Sequence, residues 1–253
     1  MDAVTLTHGA LFAGIGGFDL GFERVGIKTI WQVELNDYSR KVLARHFPDA
    51  ERFYSVTTAG DHDWKLLKVD IISGGFPCQD ISTSGKGAGI DGKRSGLWKH
   101  YARIIGELRP RYVVVENVAA LLDRGMGRVL GDLAALGYDA EWRVFTACEF
   151  GAPHTRPRVF IVAYPTENRR RHVFFDRENS AEQGDVRGTS SAGDINSYRK
   201  IWETLPSAGF WPSSNGVPVG LAKQWAAVGN AIVPQIAEYI GHRIVQIESE
   251  NNA

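Results

Sequence analysis

One stretch near the start restricts what this chain can fold into more than any other. An apolar run, Leu6 to Phe12, breaks into Phe12-Ala13-Gly14-Ile15-Gly16-Gly17-Phe18-Asp19, and helical spacing follows from about Phe18 to Val25. Strand, glycine turn and helix together are the opening of a nucleotide-binding α/β unit. Gly14 and Gly16 allow backbone to approach a ligand closely. Asp19 stands where the dinucleotide fingerprint would have its third glycine, so a nicotinamide dehydrogenase lacks its signature here. A second strand, Ile27 to Val33, ends at Glu34. An acid at that place suits the two hydroxyls of a ribose, or it serves the next helix as an N-terminal acid with Asn36 and Asp37.

A second stretch carries reactive chemistry. Val69 to Ile72 reads as a buried strand, and Ser73-Gly74-Gly75-Phe76-Pro77-Cys78-Gln79-Asp80-Ile81-Ser82 follows it. The chain then opens into the polar, glycine-rich loop Thr83 to Gly89. A cysteine after proline at a strand exit, beside a loop able to close over a substrate, is well placed for a nucleophile. The alternative is an ordinary buried cysteine. Cys78 and Cys148 are the two cysteines of the 253 residues, which provides no disulfide framework and no zinc set. No signal-peptide pattern and no apolar run of bilayer length occur, so a cytoplasmic, reduced protein is expected. The formal net charge is +0, so any nucleic-acid surface must be a local patch.

The remaining elements alternate. Asn36 to Phe47 has a helical stripe of Tyr38, Val42, Leu43 and Phe47. Lys93 to Leu108 is a helix closed by Pro110, and Arg111 to Val115 is a strand ending in Glu116-Asn117-Val118. Gly125 to Leu136 is a helix; Tyr138 to Thr146 and Arg158 to Ala163 are strands, with Arg156 just before the latter. Composition then changes. Asn168 to Gly216 is polar and irregular, too long for a plain loop within a compact domain. Periodicity returns at Leu221, and Gly229-Asn230 introduces a helix from Ile232 to about Ile247 with Pro234 in its first turn. The expected organisation is a catalytic and cofactor-binding domain over 1–164, a small target-recognition region over 165–220, and a segment over 221–253 returning to the first domain.

A thiol, a carboxyl and a guanidinium at three strand ends suggest covalent catalysis on a polar heterocycle. Phe12-x-Gly14-x-Gly16-Gly17, Gly75-Phe76-Pro77-Cys78-Gln79, Glu116-Asn117-Val118, Arg156-x-Arg158 and Gly229-Asn230, in this order, resemble the cytosine-5 DNA methyltransferases of bacteria and phages. The resemblance runs from Leu11 to about Gly241, apart from Asn168 to about Asn215. It implies a Rossmann-like, S-adenosylmethionine-dependent methyltransferase sheet of α/β class with a small target-recognition region. It implies methyl transfer to carbon 5 of a cytosine flipped out of duplex DNA. Cys78 would add to carbon 6, Glu116 would serve ring nitrogen 3, and Arg158 and Arg156 would hold the carbonyl oxygen. Phe12, Gly14, Gly16, Gly17, Glu34, Pro77, Leu97, Asn230 and Ala231 would hold the cofactor. Gln79, Ser82, Ser84 and Asn117 would contact the substrate. The expected protein is a monomer encoded by a prokaryote or phage, with duplex DNA as partner and room for a cognate restriction endonuclease.

Three departures from the family pattern stand out. The acid that follows the third strand appears as Ser55, or is displaced to Asp61. His154 stands where glutamine is common. Asn215-Gly216-Val217-Pro218 takes the place of an arginine-led run before Gly229. Cys148 matches no catalytic role and is expected in the core. Base reading is expected within Arg169 to Gly216, with Arg169, Arg170 and Arg171 on phosphates. Two rivals share the fold: a tRNA cytosine-5 methyltransferase, whose Cys-Phe-Thr tripeptide is absent, and an idle DNA-binding relative, against which Cys78, Glu116 and Arg158 together argue. A zinc nucleobase deaminase needs a second cysteine where Ile81 stands.

Overall fold

A computed structural model describes residues 5–59, 66–77, 95–152, 154–167, 174–175 and 231–251. Its centre is a seven-stranded sheet in the order β3-β2-β1-β4-β5-β7-β6. The strands are β1 (Thr7–Leu11), β2 (Lys28–Val33), β3 (Glu51–Phe53), β4 (Ile71–Gly75), β5 (Tyr112–Val118), β6 (Tyr138–Phe145) and β7 (Arg158–Pro165). The helices are α1 (Gly17–Glu23), α2 (Asp37–His46), α3 (Trp98–Leu108), α4 (Leu121–Arg124), α5 (Met126–Ala135) and α6 (Pro234–Asn251). The first five strands of the sheet order pair in parallel, and β7 is antiparallel to both β5 and β6. Strand order reverses beside β1, which neighbours both β2 and β4. In such sheets the crevice at the reversal is where ligands sit.

The alternation of side chains along the strands divides the core between the two faces. Ile71, Tyr112 and Val114 join Phe18 and Phe22 of α1 and Ile236, Ile240 and Ile244 of α6. Ile72, Val113 and Val115 join Trp98, Tyr101 and Ile105 of α3 and Val129 and Leu133 of α5. One polar residue crosses three strands. His8 of β1 is fully buried, with Nδ1 3.0 Å from Thr29 Oγ1 on β2 and Nε2 2.7 Å from Ser73 Oγ on β4. Burial pushes its pKa down to about 3, so this bridge is neutral.

Several boundaries differ from the sequence reading for identifiable reasons. Val69 to Ile72 was expected as the strand; the strand is Ile71–Gly75, with two glycines inside it. A Cβ on Gly74 would lie 2.3 Å from the Leu11 carbonyl oxygen, so glycine here answers a close neighbouring backbone instead of ending the strand. β5 extends through Glu116, Asn117 and Val118, because Phe160, Val159 and Arg158 of β7 pair with them. The helix expected from Lys93 opens with a 3₁₀ turn at Ser95–Leu97 before α3, and residues 93 and 94 lie outside the described set. The helix expected over 125–136 is α5, and the short α4 precedes it. On α2 the buried residues are Ser39 and Leu43, with Val42 turned partly outward. Cys148, expected in the core, is exposed. It lies on a 3₁₀ turn, Ala147–Phe150, whose first and last residues face inward and leave the middle ones at the surface.

Candidate active site

The C-terminal ends of β1, β2, β4 and β5 and the start of β7 enclose a cavity of about 590 Å³. Antiparallel pairing is what brings β7 here. Its first residue, Arg158, lies opposite Val118 at the end of β5.

On one side, Phe12 follows β1 in a left-handed conformation (φ 53), and Gly14 comes next but one at φ 58. The Gly14 N–H donates to Glu34 Oε2 at 2.8 Å, and the Asn36 N–H donates to Glu34 Oε1 at 2.7 Å. Glu34 thus holds the glycine turn and the entry to α2 together. Burial raises its carboxyl pKa, and the two N–H groups and the nearby Arg40 charge oppose the rise. The helix cap is Asn36, whose Oδ1 accepts from the N–H groups of Tyr38 and Ser39 at 2.9 and 3.1 Å. Phe12, Leu35, Val56 and Leu97 supply apolar wall, and Tyr54, Ser55 and Thr57 line the cavity after β3. The Ser55 hydroxyl accepts from the Thr57 N–H at 3.2 Å and lies 2.8 Å from the Thr57 hydroxyl. Arg103 of α3 donates to the carbonyls of Val56 and Ala59 at 3.1 and 2.7 Å, pinning this turn.

On the other side, Glu116 is buried and its Oε1 lies 3.1 Å from Arg158 Nε. Burial raises the Glu116 pKa, while the charges of Arg158 and Arg156 and the Arg158 hydrogen bond pull it down. Arg158 also donates to the Pro157 carbonyl at 2.8 Å. Arg156, in a left-handed conformation at φ 38, lines the same wall. Gly75 makes room for the carboxyl, since a Cβ there would lie 2.5 Å from Glu116 Oε2. Asn117, expected to contact substrate, borders the cavity with both side-chain functions turned on backbone. Its amide donates to the Phe76 carbonyl at 3.1 Å, and its Oδ1 accepts from the Val118 N–H at 2.9 Å. It ties the exit of β4, and so Phe76-Pro77, to the end of β5.

Of the expected residues, the cavity therefore brings together Phe12, Gly14, Glu34, Pro77, Leu97, Glu116, Asn117, Arg156 and Arg158. Gly16, Gly17 and Ala231 are not among its lining residues. A Cβ on Gly16 would meet the Phe47 ring at 2.5 Å, and one on Gly17 the Ile232 carbonyl at 2.6 Å, so these glycines serve packing around the turn. His154 is exposed and does not line the cavity. Cys78, Gln79, Ser82, Ser84, Asn230, Asp61, Arg169 to Arg171 and Asn215 to Pro218 lie outside the described residues. The sequence reading missed Leu35 and Tyr54. Leu35 is 65% exposed, and an apolar residue left open between an acid and a helix cap is the signal that could have found it.

A model of the C-5 cytosine-specific DNA methylase family matches residues 6–207. The Type II methyltransferase M2.BsuMI of Bacillus subtilis is 31% identical over 235 residues, 90% of this chain and 58% of that protein. The Type II methyltransferase M.NgoFVII of Neisseria gonorrhoeae is 33% identical over 157 residues, 60% of this chain and 42% of that protein. A prophage-encoded Escherichia coli protein described as a DNA modification methyltransferase superposes with a TM-score of 0.54 at 25% identity, over 65% of this chain and 48% of that one. The chain spans about half the length of the curated relatives it matches.

Proposed function

The chain belongs to the C-5 cytosine-specific DNA methylase family, and on that premise we propose that it methylates carbon 5 of a cytosine flipped out of duplex DNA. The observation that carries this reading is the Glu116–Arg158 pair on the cavity wall, beside the Phe76-Pro77 segment that leads into Cys78. A buried carboxyl whose burial and cationic neighbours act in opposite directions is suited to sharing a proton with a heterocycle nitrogen.

S-adenosylmethionine, when bound, supplies the methyl group as an electrophile. The residues present suit such a cofactor. A glycine turn with open space at Gly14, a carboxylate at Glu34 and apolar walls at Phe12, Leu35 and Val56 match a glycine-approached chain, a ribose and a flat base. The Cys78 thiolate adds to carbon 6 of the cytosine, which makes carbon 5 nucleophilic. A free thiol titrates near ~8.5, so the thiolate needs local activation. Glu116 donates toward ring nitrogen 3 as charge arises there, and Arg158, with Arg156, holds the carbonyl oxygen. Carbon 5 takes the methyl group, its proton is then lost to a water molecule acting as base, ring nitrogen 3 returns its proton to Glu116, and the thiolate departs. Gln79, Ser82 and Ser84 contact the vacated duplex. Asn230 and Ala231 serve the methionine end of the cofactor. The segment over 165–220 reads the target. The protein acts in the cytoplasm as a monomer, and the Type II naming of its relatives makes a cognate restriction endonuclease its natural companion.

The test is a duplex carrying 5-fluorocytosine at the target, incubated with S-adenosylmethionine. Fluorine cannot leave as a positive ion, so a complex surviving denaturing electrophoresis is expected. It should be absent with Cys78→Ser and slowed with Glu116→Gln. Fluorine placed only at non-target cytosines should trap nothing. A protein that methylates ordinary DNA yet never traps on this duplex overturns the covalent route. Methylation of tRNA in place of DNA overturns the substrate assignment.

A further inference from the structure

Strand β7 starts at the cavity and runs away from it. Arg158 pairs with Val118 at the cavity edge, whereas Pro165 pairs with Tyr138 at the opposite edge. There the Thr166 N–H and hydroxyl both donate to the Gly137 carbonyl at 3.0 Å. The sheet therefore releases the chain at the edge away from the cavity. Phe174 and Phe175 show how it returns. Both are buried, 3% and 8% exposed, on the sheet face covered by α1 and α6. Phe174 packs on Tyr112 and Tyr164, each 5.8 Å between ring centroids, and Tyr112 is the first residue of β5, far from the cavity. Phe175 packs on Phe145 at 5.7 Å, and Phe145 lies opposite Arg158 at the cavity edge. The two rings thus spread along the sheet face in opposite directions, one toward each edge.

One carboxylate holds them there. Glu141 Oε2 accepts from the N–H groups of Phe174 and Phe175 at 3.1 and 3.3 Å, and its Oε1 accepts from the Tyr164 hydroxyl at 2.8 Å. Two successive backbone N–H groups on one carboxylate oxygen fix both position and direction of the chain.

We propose that Glu141 with Phe174 and Phe175 forms the anchor that ties the target-recognition region to the catalytic sheet, making these three positioning residues for DNA engagement. The proposal rests on reading 165–220 as that region. The test measures full-length wild type, Glu141→Ala, Glu141→Gln and the double variant Phe174→Ala/Phe175→Ala by KM for duplex DNA, kcat at saturating DNA, cofactor Kd and melting temperature. The expected result is a rise of tenfold or more in KM for DNA in Glu141→Ala and the double variant. Cofactor Kd should stay within twofold and kcat should be nearly unchanged. Glu141→Gln, which keeps an acceptor for the two N–H groups, should fall between them and wild type, and Phe174→Leu/Phe175→Leu should recover most of the loss. If the double alanine variant does not fold, Glu141→Ala and Glu141→Gln decide the matter alone. An unchanged KM for DNA, or a cofactor Kd that rises in proportion, overturns the anchor. Wild type without affinity for duplex DNA overturns the recognition reading and the anchor with it, whereas wild type with affinity and unaffected variants overturns the anchor only.

Discussion

Gly75→Ala separates catalysis from folding in this protein. The new Cβ would lie 2.5 Å from Glu116 Oε2. Ordinary van der Waals contact requires the carboxyl to retreat by roughly 1 Å. The atom that must move is the end of a flexible side chain, so the backbone of β4 and β5 can stay in register. The carboxyl cannot retreat and keep its 3.1 Å contact with Arg158 Nε as well. A misplacement of about 1 Å in a reacting group costs on the order of 10²-fold in rate. Turnover should therefore fall roughly 100-fold, while the melting temperature falls by no more than about 4 °C. Glu116 would remain buried with a weakened cationic partner, which moves its pKa further up. Because the protonated form serves the base, the alkaline limb of the kcat profile should shift to higher pH. Gly74→Ala is the control. Its Cβ would meet the Leu11 carbonyl oxygen at 2.3 Å, which is backbone of the paired strand. That overpacking should cost roughly 1–3 kcal/mol of stability. The assay is methyl transfer at saturating cofactor and DNA across pH, beside thermal melts of both variants. Near-normal turnover in Gly75→Ala would refute the reasoning, as would a stability loss equal to that of Gly74→Ala.

Asp19 of α1 is fully buried and accepts from Gln32 Nε2 at 2.9 Å, and burial raises its pKa from 3.8 to about 6. A carboxyl with a raised folded pKa contributes stability that is full below its unfolded value and is lost as pH rises through the folded one. Between pH ~4 and ~6.5 this amounts to about 3 kcal/mol; urea midpoints of Asp19→Asn should lack that decline, and an unchanged pH slope would count against it. Arg103→Ala frees the turn that lines the cavity after β3, and losing two charge-assisted hydrogen bonds should weaken cofactor binding roughly five- to thirtyfold. Calorimetry with S-adenosylmethionine checks this, and wild-type affinity would show that the turn stands without Arg103. Neutralising Arg169, Arg170 and Arg171 should weaken binding to all DNA sequences alike and flatten its salt dependence; a changed methylated sequence at intact affinity would show that they read bases.

The sequence by itself determined the local grammar of this protein. Leu6 to Phe12 followed by Gly14, Gly16 and Gly17 set a strand, a turn and a helix, because period and glycine placement are short-range properties. Glu34 at the end of β2, Pro77 at the exit of β4, and Glu116 and Arg158 in their motif order were legible for the same reason, and so was the α/β class. Tertiary structure decided what those residues face. That Arg158 meets Glu116 depends on β7 inserting antiparallel between β5 and β6, a pairing between distant segments that no local pattern encodes. Gly74 and Gly75 read as the end of a strand, yet they lie inside one, because the Leu11 carbonyl and the Glu116 carboxyl crowd them from neighbouring strands. Asn117 lines the cavity, and only the folded sheet shows that its amide also holds the Phe76 carbonyl across from β5. Cys148 reads as core, yet a 3₁₀ turn directs it outward. A residue's type and spacing depend on its own stretch of chain, but its neighbours in space come from strand order and packing, which only the folded sheet supplies.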